Sequence, residues 1–168
     1  MEKIVLGVSA CLLGEKVRYD GDHSRDPFLT DILGRYVTYI PVCPEVELGL
    51  PVPREAMHLE GDPACPRLVI INTRQDMTDA FEKWARLRAI ELENKNLCGF
   101  IFKSRSPSCG MESVKVYNHE GIYTLKGVGL FARIFIEHFP LLPVEEDGRL
   151  TDPHLKDEFI KRVFAGHP

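Results

Sequence analysis

Positive charge is in short supply in this sequence. Its 168 residues carry 21 lysines and arginines against 25 aspartates and glutamates, a formal net charge of −4, and the basic residues are scattered. Gripping a nucleic-acid backbone takes a clustered basic face, so nucleic acid is not an expected partner. Long apolar runs are missing too: none approaches the ~18 residues that a membrane span needs, and no membrane association is expected. Met1-Glu2-Lys3 leads straight into a short apolar run with no cleavage site after it, which fits no secretion signal, and the protein is expected in the cytoplasm. Among five cysteines there is no Cys-x-x-Cys pair, which excludes a local zinc ribbon or a thioredoxin-type pair. In a reducing compartment those thiols are left for metal binding, catalysis or burial rather than disulfides. There is no repeat, low-complexity segment or linker, and residues 1–168 are expected to form a single domain.

What is present reads as an alternation of strands and helices. Apolar, β-rich runs at Ile4–Ser9, Tyr36–Val42, Arg67–Asn72 and Phe100–Lys103 have the shape of buried strands. Val114–Tyr117 and Ile122–Leu125 can pair as a hairpin around Asn118–Gly121, and Pro140–Val144 reads as an edge strand. The stretch Glu45–Pro66, with Pro51, Pro53, Pro63 and Pro66, is expected to be irregular. Met77, Phe81, Trp84 and Leu87 recur at helical spacing within Asp76–Leu97, which Asp76 can cap. Leu130–His138 and Asp152–Phe164 complete the helices, the latter with Pro153 suited to a first turn. The expected architecture is α/β, a single-domain Rossmann-like layered fold with a mostly parallel sheet flanked by helices.

Three cysteines occupy equivalent places in that scheme. Cys11 follows the first strand, Cys43 the second, and Cys109 lies in the loop after the fourth. Ligands of open α/β sheets bind beyond the carboxyl ends of the strands, so these loops can converge on one site. Their prolines and glycines leave backbone N–H groups free to hydrogen-bond thiolate or inorganic sulfur, which tunes an iron–sulfur cluster. Position alone does not decide between shared ligation and three small buried thiols. Cys98, before an apolar run, reads as core, and Cys65, between Pro63 and Pro66, as a loop thiol.

Three segments together resemble a known family. They are Val8-Ser9-Ala10-Cys11-Leu12-Leu13-Gly14 with Val17-Arg18-Tyr19-Asp20-Gly21, Val42-Cys43-Pro44-Glu45 with Gly49-Leu50-Pro51-Val52-Pro53-Arg54, and Lys103-Ser104-Arg105-Ser106-Pro107-Ser108-Cys109-Gly110. The sequence is similar to the thiouracil desulfidases from about Val5 to beyond Phe131. That resemblance implies a [4Fe-4S] cluster held by Cys11, Cys43 and Cys109, with one iron left open for the sulfur of 2- or 4-thiouracil or a derivative. It implies a non-redox hydrolysis to uracil and sulfide, with Glu45 as acid/base and a serine helper, Ser104 first and Ser106 second. Iron as a soft partner would select thiocarbonyl over carbonyl. A cluster with three thiolates carries a net charge of about −1, which would poise a nearby Glu45 as a base worth about 10²–10⁴ in rate.

Other signals lead elsewhere. Gly127-Val128-Gly129-Leu130-Phe131-Ala132 fits a dinucleotide-binding pattern, with Glu145, Glu146 and Asp147 at a suitable distance, but too little chain follows it. Close helix–sheet packing is the better reading. Arg18, Tyr19 and Asp20 can contact a pyrimidine or simply order their loop, and Lys103 and Arg105 can balance charge. The six histidines show no metal-like spacing and read as surface residues. Two rival functions use the same cysteines: a zinc-binding structural or sensing module, and a metal-free enzyme with one low-pKa cysteine nucleophile.

Overall fold

The computed structural model describes residues 4–165, which form eight strands and four helices. In chain order these are β1 (Ile4–Ser9), β2 (Val37–Val42), the short α1 (Pro44–Glu47), β3 (Met57–Glu60), β4 (Arg67–Ile70), α2 (Thr78–Leu92), β5 (Leu97–Phe102), β6 (Val114–Tyr117), β7 (Tyr123–Gly127), α3 (Leu130–His138), β8 (Val144–Glu146) and α4 (Pro153–Ala165). β2, β1, β5 and β8 lie side by side, all parallel, in one sheet. Pro41 falls on β2, an edge strand of that sheet, where the missing N–H is tolerated.

The alternation of side chains in β5 explains the two layers. Ile101 faces one side and packs with Leu6, Val8 and the α4 residues Phe159 and Val163. Phe100 and Phe102 face the other and pack with Ala85 and Leu92 of α2 and Phe131 and Phe135 of α3. Phe100 and Phe102 stack at 4.3 Å between centroids, and Phe131 and Phe135 tilt against them. Fully burying each such ring contributes about 1.5–3 kcal/mol relative to exposure. Gly7 makes the stack possible, because a Cβ there would lie 2.3 Å from the Phe100 ring.

The parallel sheet flanked by helices stands as expected, but it does not hold all the strands. β4, β3, β6 and β7 form a second, mixed sheet, with only the β3–β6 pair parallel. Arg67–Ile70 belongs there, antiparallel to β3, and β3 itself lies inside the stretch expected to be irregular. The β6–β7 hairpin forms as expected. Leu59, Leu68, Val114 and Val116 pack under Met77 and Phe81 from the start of α2 and Leu130 from the start of α3. The same two helices therefore clasp both sheets, which brings the Glu45–Met57 segment alongside the strand ends of the first.

Several boundaries also move. The long helix ends at Leu92, followed by a tight turn (Glu93–Lys95) and Asn96 at φ 54°, a left-handed stop. Leu97 and Cys98 consequently begin β5 and are half-buried. Asp76 lies outside the helix and accepts the Thr78 N–H at 2.9 Å, while Leu87 points to solvent. The last strand runs Val144–Glu146 rather than Pro140–Val144, because pairing with Phe100–Phe102 sets its register. His58 is not a plain surface residue: it is half-buried, stacks on Tyr117 at 4.6 Å and pairs with Glu60 at 2.8 Å.

Candidate active site

The strand ends of the first sheet open into a cavity of about 730 Å³. Cys11, Cys43 and Cys109 all line it, as do Glu45, Ser104 and Ser106. Each cysteine is placed by a local turn. Cys11 sits in a 3-10 turn (Ala10–Leu13) that Gly14 ends with φ 94°. Cys43 is the N-cap of α1, whose first residue Pro44 has no N–H to leave unpaired. The Cys43 N–H donates to Glu47 Oε2 at 3.1 Å, and Arg88 of α2 lies 2.9 Å from Glu47 Oε1. The long helix α2 thus also braces the Cys43 turn.

The Cys109 loop is held at both ends by the acids considered above for a dinucleotide. Asp147 Oδ1 accepts the Ser104 N–H at 2.7 Å, and Oδ2 lies 3.3 Å from Lys103 Nζ. Glu146 Oε2 accepts the Met111 N–H at 2.9 Å. From the other side, Gly129 packs against the loop backbone, where a Cβ would lie 2.5 Å from the Ser108 carbonyl carbon. The glycine pattern is a packing device, as expected. Gly129→Ala is predicted to cost about 1–3 kcal/mol of overpacking strain. It should read out in thermal denaturation as a drop in Tm of about 2–4 °C per kcal/mol.

Within the loop the serine hydroxyls are directional. Ser106 Oγ accepts the N–H groups of Ser108 and Cys109 at 3.2 and 3.1 Å. Ser108 Oγ donates to Glu45 Oε1 at 2.6 Å and lies 3.0 Å from Ser106 Oγ. A hydroxyl has one hydrogen, so Ser108 can only accept from Ser106, giving the order Ser106→Ser108→Glu45. The sequence reading singles out Ser104 and Ser106 and passes over Ser108. The three serines share one loop and one polarity, and nothing in the sequence marks which reaches Glu45. Ser104 lines the cavity through a backbone anchored on Asp147.

Glu45 is 8 % exposed, Cys11 8 % and Cys109 4 %. Glu45 Oε2 lies 3.7 Å from Cys43 Sγ and 4.0 Å from the buried Arg54 guanidinium. Arg18, Tyr19, Lys103 and Arg105 reach the cavity wall, whereas Asp20 turns away to accept the Asp22 N–H. Cys65 is exposed and Cys98 half-buried at the start of β5, and neither lines the cavity.

Burial, opposed by Lys103 and Arg18, pushes the Cys11 thiol up to about 11. Burial and the Glu45 charge push Cys43 up to about 12, against a backbone N–H from Val46. Burial raises Cys109 well above its ordinary value, with hydroxyls of Ser9 and Ser108 beside the sulfur. A lone cysteine nucleophile needs the opposite shift, and none of the three thiols has it. Among the described residues no three His, Cys, Asp or Glu side chains lie close enough to hold a single metal ion. The three thiols line one cavity without closing on a single point. Zinc, with Zn–S bonds of about 2.3 Å, needs a point, whereas a soft, thiolate-binding iron–sulfur group fills a space.

Known proteins share this arrangement of chain. The structure is similar to that of the [4Fe-4S]-dependent thiouracil desulfidase TudS, with a TM-score of 0.72 and 32 % identity over 96 % of this chain and 99 % of that one. The uncharacterized protein YbbK of Bacillus subtilis (strain 168) is 28 % identical over 116 residues, 66 % of this chain and 75 % of that protein. The 2-thiouracil desulfurase family matches residues 6–147, a span that holds all three cavity cysteines, Glu45 and the acids that clamp the Cys109 loop. On that match the chain belongs to the 2-thiouracil desulfurase family, a family of enzymes.

Proposed function

We propose that this enzyme removes sulfur from a small thiolated pyrimidine, 2- or 4-thiouracil or a derivative, by non-redox hydrolysis. The observation that carries the reading is the meeting of Cys11, Cys43, Cys109 and the buried Glu45 in one cavity at the ends of parallel strands. Cys11, Cys43 and Cys109 would hold a [4Fe-4S] cluster. Bound there, the cluster supplies one iron without a cysteine ligand, soft enough to prefer thiocarbonyl sulfur to carbonyl oxygen. The overall change adds water and breaks the carbon–sulfur bond: the ring carbon gains an oxygen, sulfide leaves, and no electrons are exchanged.

The chain's own groups manage the protons. Ser108 occupies Glu45 Oε1, which leaves Oε2 to take a proton from the attacking water and later to return it. Ser106 keeps Ser108 turned towards Glu45, and Ser104, which lines the cavity, would hydrogen-bond the ring or the water. A free, small substrate in the cytoplasm fits the net charge of −4, and no helix among the described residues is long and apolar enough to cross a membrane.

Protein reconstituted without oxygen should carry about four irons and four labile sulfides per chain. It should release sulfide and uracil in equal amounts from thiouracil, with oxygen-18 passing from labelled water into the uracil. Zinc in place of iron, or an intact cluster with no sulfide released, overturns the proposal.

A further inference from the structure

We infer that Arg54 is the positioning residue of Glu45, an ion partner that aims Oε2 into the cavity without occupying it. The inference deepens the function proposed above and rests on Glu45 acting there as the base. Arg54 ends the Gly49–Arg54 segment and lines the same cavity. Its side chain is only 8 % exposed. Its backbone N–H donates to the Tyr19 carbonyl at 2.8 Å, which fixes the residue against the loop that follows Cys11. For a buried cation it is poorly served by neutral partners. Nη1 donates to the Pro51 carbonyl at 3.3 Å, and the buried Nε has no partner among the described residues.

A charge taken out of water with so few hydrogen bonds is costly unless an opposite charge faces it. The facing charge is Glu45 Oε2 at 4.0 Å. That distance is too long for a hydrogen bond but short for a buried charge pair. The two oxygens of Glu45 are therefore treated differently. Oε1 is tied by a short bond from Ser108, while among the described residues Oε2 meets only a thiol at 3.7 Å and the guanidinium at 4.0 Å. A direct guanidinium hydrogen bond would consume the lone pair that the reaction needs. Attraction at 4.0 Å orients the carboxylate and leaves that lone pair free.

Four proteins test this: the parent, Arg54→Gln, Glu45→Gln and the double variant, with Arg54→Lys as the conservative control. In Arg54→Gln, kcat should fall about 10–100-fold with KM changed less than about threefold and iron content unchanged, and Arg54→Lys should recover about tenfold of the loss. Once Glu45 is glutamine, Arg54→Gln should cost less than about threefold more, since the partner it acts through is gone. The same four proteins give a second cycle in thermal denaturation. There Arg54→Gln should lower Tm about 5–10 °C in the parent and less than half of that in Glu45→Gln. Losses that add in kcat overturn the positioning role, and shifts that add in Tm overturn the pairing. A parent that holds its cluster but leaves thiouracil intact overturns the proposed function instead, and the Tm cycle still decides whether Arg54 and Glu45 are coupled.

Discussion

Alanine in place of any one of Cys11, Cys43 or Cys109 is expected to abolish desulfurisation and to leave less than about one iron per chain, whereas Cys98→Ala keeps the full complement. The three positions stand on three separate turns, after β1, β2 and β5, so no neighbour on the same turn can substitute for a lost thiol. Cys98 lies at the opposite end of β5, and Cys65 in an exposed loop outside the cavity. Loss at all three sites together is what separates shared ligation from a single nucleophile, which would fail at one position only. Iron and labile sulfide after oxygen-free reconstitution, with folding checked by circular dichroism, measure it. Full iron in any one of the three alanine variants would remove that cysteine from the ligand set.

The second large effect concerns Glu45. Glu45→Gln preserves the size of the side chain and keeps an oxygen for Ser108 to donate to, but the amide cannot take a proton. A lost general base of this kind lowers kcat by about 10²–10⁴. Iron content should stay at the parent level, because Glu45 only borders the thiols, 3.7 Å from Cys43 Sγ at its nearest. Single-turnover sulfide release under saturating thiouracil separates the proton step from substrate binding. Retention of more than about a tenth of the parent rate would mean that another group carries the proton.

The parallel sheet was legible in the sequence because β1 and β5 are buried on both faces and read as continuous apolar runs. The second sheet was legible only in pieces. β4 and the β6–β7 hairpin show as strands, but β3, four residues inside a proline-rich stretch, does not, and without it nothing in the sequence joins the others into a sheet. The end of α2 was misplaced because no proline or glycine signals it; the break is made by Asn96 in a left-handed conformation. In the site, the three cysteines sit next to turn residues at strand ends, a placement that sequence conveys, whereas Glu45 is pointed to only by the family resemblance. What sequence does not convey is which polar groups meet across the fold. Ser108 and Glu45 are 63 positions apart, and the Met111 N–H and Glu146 are 35 apart, so those partnerships exist only once the chain has folded.

The last of these partnerships sets an order on assembly. All three cavity cysteines precede β8 in the chain, yet the loop bearing Cys109 is pinned at one end by Asp147 and at the other by Glu146. A nascent chain that has reached Gly110 already possesses every thiol and lacks both pins. Until β8 docks beside β5, the loop of the third thiol has its bonds to Ser9 and to the first amides of α3 but lacks these two carboxylates, and part of the entropy of fixing it falls on whatever binds there. The cavity wall is thus completed by an edge strand of the sheet, whose carboxylates reach across to the Cys109 loop as well as closing the fold.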